Sequence, residues 1–309
     1  MDDYTEETMS WLDRRFKETD RDGIYLAHQP IYGFRKGHSE PGIVCRYVIT
    51  YNILKALSHL QFESFLDVGG AEGYKAALVR AVFGSEVRSV DLSAEACVRA
   101  KAIFGVDGEP VDIQRLPYPD GAFDVVLCSE TLEHVVDLQA ATRELLRVAK
   151  RAVVITVPHE PKEVVERNIR DRVPHGHIHS LDTHGFDFAL PLVASIACEK
   201  MLSLGTRALG LAAEGIRRDK IRSFPGVAVK AFNRLVPLSN AVFGKSSIGM
   251  LIRLDRFLAN LTGEYAGMTF ILLKDAQCYL KQPARQVSPR QVLDFCVPFH
   301  YPNGDKNPR

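Results

Sequence analysis

The 309-residue chain has no C-x-x-C pair, no internal repeat and no long uncharged apolar run. Its six cysteines, Cys45, Cys97, Cys128, Cys198, Cys278 and Cys296, lack paired spacing, so reduced thiols in the cytosol are expected. The first residues carry Asp2, Asp3, Glu6 and Glu7 with no apolar stretch among them, which predicts no signal peptide. A membrane span needs ~18 consecutive apolar residues. The nearest approach, residues 188–213, is broken by Glu199, Lys200 and Arg207. A formal net charge of +1 leaves no global field for a polyanion, so nucleic acid is not an expected partner. The chain does have apolar residues in quantity, 46% against 25% charged, enough to bury the core of one large α/β domain with an insertion, or of two small domains.

Periodicity divides the chain. Residues 1–62 read as an N-terminal helical segment, with helices over Glu6 to Glu18 and Pro41 to Leu60 and a Gly/Pro loop from His28 to His38. From residue 63 to 204, short apolar runs alternate with helical periods. Strands are expected at Phe65 to Val68, Val87 to Val90, a short run ending at Val111, Phe123 to Cys128, and Ala152 to Val157. Helices are expected at Tyr74 to Phe83, Ala94 to Phe104 and Leu138 to Val148. This alternation predicts a parallel sheet covered on both faces. Residues 159–185 read as a loop or lid, Leu192 to Leu204 as a strand, 205–262 as a helical insertion, 263–281 as the last strand region, and 282–309 as a proline-rich tail with a poorly ordered end.

The chemistry concentrates in Asp67-Val68-Gly69-Gly70-Ala71-Glu72-Gly73, between a strand and a helix. Glycines at such a turn let the backbone approach a ligand, and the helix N-terminus offers free N–H groups to a phosphate or an amino-acid carboxylate. Asp67 suits a positively charged ligand group. Asp91 ends the next strand, 18 residues after Gly73, where an acid can accept both hydroxyls of a ribose. Either acid could instead cap a loop or helix, since Asp is common after strands.

The pattern Asp67-x-Gly69-x-Ala71-x-Gly73 resembles the first motif of class I S-adenosylmethionine (SAM)-dependent methyltransferases, with Ala71 in place of the middle glycine. The run from Leu116 to Val126 (LPYPDGAFDVV) resembles a second family signature, and Ser129 to Val135 its continuation. The resemblance spans residues 64–158 and points to the ubiquinone/menaquinone-type group. It implies a doubly wound, seven-stranded, Rossmann-like α/β sheet whose final strand inserts antiparallel, with N-terminal helices and a helical insertion before that strand. It implies SAM held by Asp67, Gly69, Ala71, Gly73, Asp91, Leu92 packed on the adenine, Asp112, Ile113 and Ser129. The acceptor is left open among small molecules, lipids and glycans. A nicotinamide dinucleotide site fits less well, because Glu72 would face a pyrophosphate and the run from Leu116 to Asp124 would have no role. A SAM-fold binding protein without catalysis is the other alternative.

Five of the ten histidines, His159, His175, His177, His179 and His184, fall within 26 residues. His175-x-His177-x-His179 could supply metal ligands from one side of an extended chain. It could supply a general base, or be a surface loop without chemistry. The base reading is preferred: methyl transfer to a neutral hydroxyl or amine needs a proton acceptor, and histidine is suited to that near neutral pH. His177-x-His179 matches a pattern similar methyltransferases carry after the fifth strand. His134, His177 and His179 are therefore the candidate catalytic residues, and no metal is assigned. Residues 200–262 carry eleven Lys/Arg and three acids among apolar residues. This predicts either an ordinary solvated face or a contact with an anionic acceptor or an anionic membrane surface.

Overall fold

The computed structural model describes residues 3–34, 42–213, 245–302 and 304. Its centre is a six-stranded sheet of β1 (Ser64–Val68), β2 (Glu86–Val90), β3 (Phe123–Ser129), β4 (Ala149–Pro158), β5 (Ser195–Met201) and β6 (Gly267–Leu273), in the order β2-β1-β3-β4-β6-β5. The first four are mutually parallel, and β6 lies antiparallel between β4 and β5. Alternate residues serve opposite faces. Phe65, Val125, Leu127 and Val154 pack with helices α2 (Ile43–Ser58) and α3 (Tyr74–Phe83), whereas Leu66, Val126, Val153 and Ile155 pack with α5 (Leu138–Val148). Both faces are buried, so the central strands read as continuous apolar runs rather than alternating ones.

The sheet has six strands among the described residues, not seven. The run ending at Val111 borders β2 without forming a strand: Ser89 N–H donates to the Asp107 carbonyl (3.1 Å), and Val111 N–H donates to the Asp91 carbonyl (2.8 Å). The reason is local. Pro110 has no N–H to give, and Gly108 lies so close to β2 that a Cβ there would stand 1.6 Å from the Ser89 carbonyl oxygen.

Helix boundaries follow their caps. Ser93 accepts Ala96 N–H at the start of α4 (Ala94–Phe104), and Gly105 ends it in the left-handed region, at φ 61°. Asp137 accepts Ala140 N–H at the start of α5. Helix α1 (Asp3–Arg15) begins and ends three residues earlier than its pattern predicts. Residues 159–185 are not only loop. They contain α6 (Lys162–Arg170), which buries Val165 beneath charged residues. Two helices of the insertion, α7 (Leu204–Ala213) and α8 (Lys245–Thr262), flank residues 214–244, which lie outside the described residues and hold six of the segment's eleven basic residues. The proposed anionic contact of residues 200–262 therefore falls largely outside them too. The C-terminal stretch docks rather than trails. Helix α9 (Pro289–Asp294) buries Val292 and Leu293, and Phe295 stacks on Phe104 at 6.0 Å. The expected disorder at the end of the tail concerns residues 305–309, outside the described ones.

Candidate active site

The parallel strands end at a cavity of about 370 Å³. Gly69, Ala71, Asp91, Leu92, Asp112, Ile113 and Ser129 all line it. The turn after β1 is built by backbone. Gly69 N–H and Gly70 N–H both donate to the Val90 carbonyl (2.8 and 3.0 Å), pinning the loop to the end of β2. Gly69 has φ 72° and Ala71 φ 47°, so the chain turns back twice within three residues. Asp91 holds the turn open from the other side. One of its oxygens accepts Ala71 N–H and the other Ser93 N–H, each at 2.9 Å. Each oxygen keeps a second lone pair for a ligand hydroxyl. Burial raises the Asp91 carboxyl above its ordinary value, against the pull of these two N–H groups.

Asp67 and Gly73 do not line the cavity. Gly73 serves packing: a Cβ there would meet the Ala100 side chain of α4 at 2.8 Å. Asp67 lies buried beneath the turn. Burial pushes its carboxyl up to about 6, with Lys75 and a backbone N–H at Ala76 only partly opposing it. The folded value exceeds the ordinary 3.8, so folding favours the protonated acid. This contribution to stability is complete below pH 3.8 and is lost as pH rises through about 6. By linkage the loss is about 3 kcal/mol. Asp67→Asn should therefore be more stable than the wild type at pH 8 by up to about 3 kcal/mol, and the difference should vanish towards pH 4. Urea titrations at the two pH values check this. An offset that is the same at both would show that Asp67 is not the titrating group.

Glu72 has the opposite environment. It is fully buried, and burial alone would raise it. Hydrogen bonds and charge from His28, with the charge of Arg99, outweigh burial and hold it at about 2. Arg99 in turn lies over the Tyr25 ring at 4.4 Å. Glu72 does not line the cavity; through His28 and Arg99 it ties residues 16–29 to the glycine turn.

A second group occupies the end beyond β3. Glu130, Glu133, His134, His175 and His177 line the cavity together with Lys75 and Thr131. His134 stacks on His175, with ring centroids 3.7 Å apart, and meets His177 edge-on at 4.9 Å. Burial, then the neighbouring His175 and His177, hold His134 well below the usual imidazole range. Burial similarly takes His175 down to about 4. Burial raises Glu130, and raises Glu133 strongly with a further push from Glu130. His179 is elsewhere: its Nε2 lies 2.7 Å from the Val135 carbonyl, tying the loop to the segment after β3. It does not line the cavity, which separates it from the other two candidate catalytic histidines.

The sequence reading missed the cover. Helix α1 closes one side of the cavity with Tyr4, Thr5, Thr8 and Leu12, while Trp11 stacks on His175 at 5.2 Å. Tyr4 Oη donates to the Gly176 carbonyl. His28 and Gln29 also line the site, and the Gln29 amide donates to the Gly70 carbonyl at 2.9 Å. Aromatic residues in a charged N-terminal stretch were the one available signal.

Residues 66–157 match the family described as "Methyltransferase domain". Norajmaline N-methyltransferase of Rauvolfia serpentina is 34% identical over 102 residues, 31% of this chain and 35% of that protein. Malonyl-[acyl-carrier protein] O-methyltransferase of Erwinia billingiae is 37% identical over 89 residues, 28% of this chain and 35% of that protein. The chain thus spans about a third of the length of these curated relatives. The crystal structure of geranyl diphosphate C-methyltransferase from Streptomyces coelicolor, with Mg2+, geranyl diphosphate and S-adenosyl-L-homocysteine, superimposes with a TM-score of 0.51 at 16% identity. It covers 89% of this chain and 98% of its own, a likeness of fold.

Proposed function

We propose that this chain, which belongs to the class I SAM-dependent methyltransferases of the ubiquinone/menaquinone-type group through residues 66–157, methylates a small-molecule acceptor in the cavity above β1 and β3. One observation carries the reading. A single cavity is lined both by the glycine turn with Asp91, Leu92, Asp112 and Ile113, and by the Glu133–His134–His177 group. The first set suits a nucleoside-bearing cofactor and the second a reacting heteroatom. SAM, when bound, supplies an activated methyl group on a sulfonium, so the protein's task is alignment, exclusion of water and proton handling.

The residues fit that task. Gly69 leaves the space that a Cβ would fill, and Asp91 has lone pairs free for a ribose. Leu92 and Ile113 offer apolar contact to a base. His134 and His177 line the same pocket, covered by α1, and are the groups we assign to take the proton of a hydroxyl or amine acceptor. The relatives bear the names of N-, O- and C-methyltransferases, and nothing in the cavity selects among those atoms, so lipid and glycan acceptors belong in the same screen. No helix among the described residues is long and apolar enough to cross a membrane. The six cysteines, none in C-x-x-C spacing, support a cytosolic, reducing setting.

Calorimetric titration with SAM and, separately, NADH tests the cofactor assignment. SAM should bind and NADH should not. Asp91→Ala should weaken SAM by about 1–3 kcal/mol through loss of charged hydrogen bonds. SAM affinity unchanged in that variant would remove Asp91 from the site, and NADH binding in place of SAM would overturn the reading. Incubation with labelled SAM and extracts of small molecules, lipids and glycans then identifies the acceptor.

A further inference from the structure

The acceptor end of the cavity is more organised than a lone proton acceptor requires. Glu133, His134 and His177 each bring one ligand atom, and the three atoms lie within 4.8 Å of one another. The tautomer of His134 is fixed. Its Nδ1 lies 3.1 Å from the Gly176 carbonyl, which only accepts, so Nδ1 carries the hydrogen and Nε2 keeps a lone pair. That Nε2 is 3.8 Å from Glu133 Oε1. His177 Nδ1 lies 3.2 Å from Glu160 Oε1, a carboxylate contact at the other ring. An imidazole held through its far nitrogen by a carbonyl or a carboxylate is the usual support of a metal-bound histidine.

Glu133 adds an independent observation. It is buried, and its Oε2 has no hydrogen-bond partner among the described residues. Its one ion-pair contact there is with His134. A buried carboxylate in this position costs free energy that a bound cation would offset. We propose that Glu133, His134 and His177 bind one divalent first-row transition ion, with its remaining positions open to the cavity for an oxygen of the acceptor.

Two imidazoles and one carboxylate suit Zn2+, Fe2+ or Mn2+ rather than Mg2+, which prefers oxygen alone. Tetrahedral bonds of about 2.1 Å place donors about 3.4 Å apart, so the side chains must draw in by at most about 1.4 Å. This donor set is not the one weighed from sequence. Of the His175-x-His177-x-His179 pattern only the middle residue takes part, since His175 is stacked between Trp11 and His134 and His179 is tied to Val135. The ion site shares the cavity assigned to methyl transfer; with an ion bound, the two imidazoles would serve as its ligands in place of proton acceptors, and the ion would acidify an acceptor oxygen. Its detection needs no transfer activity.

The test uses the full-length chain, stripped with chelator and dialysed against Zn2+ or Mn2+, with bound metal counted by elemental analysis. One ion per chain is expected, with at least tenfold weaker binding in Glu133→Gln and in His177→Ala, and unchanged binding in His179→Ala. Melting curves confirm that each variant is folded. A readout that needs no variant is Co2+, which should give a visible absorption band saturating at one equivalent and removed by Zn2+. Binding of neither Zn2+ nor Mn2+ by the wild type, or binding undiminished in both variants, overturns the proposal. SAM calorimetry on the same samples separates the two readings. SAM binding without metal binding removes the ion alone, and metal binding without SAM binding removes the methyl-transfer assignment alone.

Discussion

Gly69→Val is expected to abolish detectable SAM binding while leaving a folded protein. Gly69 adopts φ 72°, a conformation that costs a β-branched residue most, and lines the cavity where the chain turns after β1. A Cβ built there would stand 2.2 Å from Thr131 Oγ1 and 2.6 Å from Thr131 Cγ2. The turn cannot yield without moving the floor of the site, because Gly69 N–H and Gly70 N–H are both bonded to the Val90 carbonyl. The variant should lower SAM affinity at least 100-fold, about 2.7 kcal/mol or more. Gly69→Ala should show the same loss in milder form, and adding Thr131→Ala should restore part of it. Calorimetry measures the binding, and circular dichroism confirms the fold. A folded Gly69→Val protein that binds SAM like the wild type would show that the cofactor does not approach this turn.

His177→Ala is expected to keep SAM affinity within about threefold and to lower turnover of the identified acceptor by about 10²–10⁴, the usual range for losing a positioned acid–base group. The residue lines the cavity and touches His134, but its side chain is 30% exposed, so its removal leaves the buried core intact. His179→Ala is the matched control. It removes a bond to the Val135 carbonyl and should cost about 1 kcal/mol of stability with turnover near that of the wild type. Steady-state kinetics with SAM saturating separates kcat from binding. Equal losses in the two variants would mean that the loop acts as a whole and that His177 has no chemical role of its own.

What the sequence determined by itself was what local order can encode. The alternation of apolar runs with helical periods between residues 64 and 158 predicted β1 to β4 and α3 to α5, because a strand buried on both faces and an amphipathic helix each leave a repeat in the chain. The glycine turn was legible for the same reason, since its residues are consecutive and its positive φ angles restrict their type. Asp91 was legible from spacing, because one βαβ unit fixes how far it lies from the turn. The predicted third strand was absent because pairing depends on a neighbour's edge as well as on apolar content. Pro110 and the closeness of Gly108 to Ser89 prevent a ladder there. Only the tertiary structure decided which histidines meet. His134 is over 40 residues from His175 and His177 in the chain, yet their rings are in contact, while His179, two residues from His177, meets the Val135 carbonyl and does not line the cavity. The same holds for the buried acids. Asp67 and Glu72 lie five residues apart in one motif, but one is pushed up to about 6 and the other held at about 2. The difference is set by Arg99 and His28, brought to Glu72 from distant segments, and by the absence of comparable partners at Asp67. Desolvation and charge act through space, so groups like these acquire their chemistry only when the chain has folded around them.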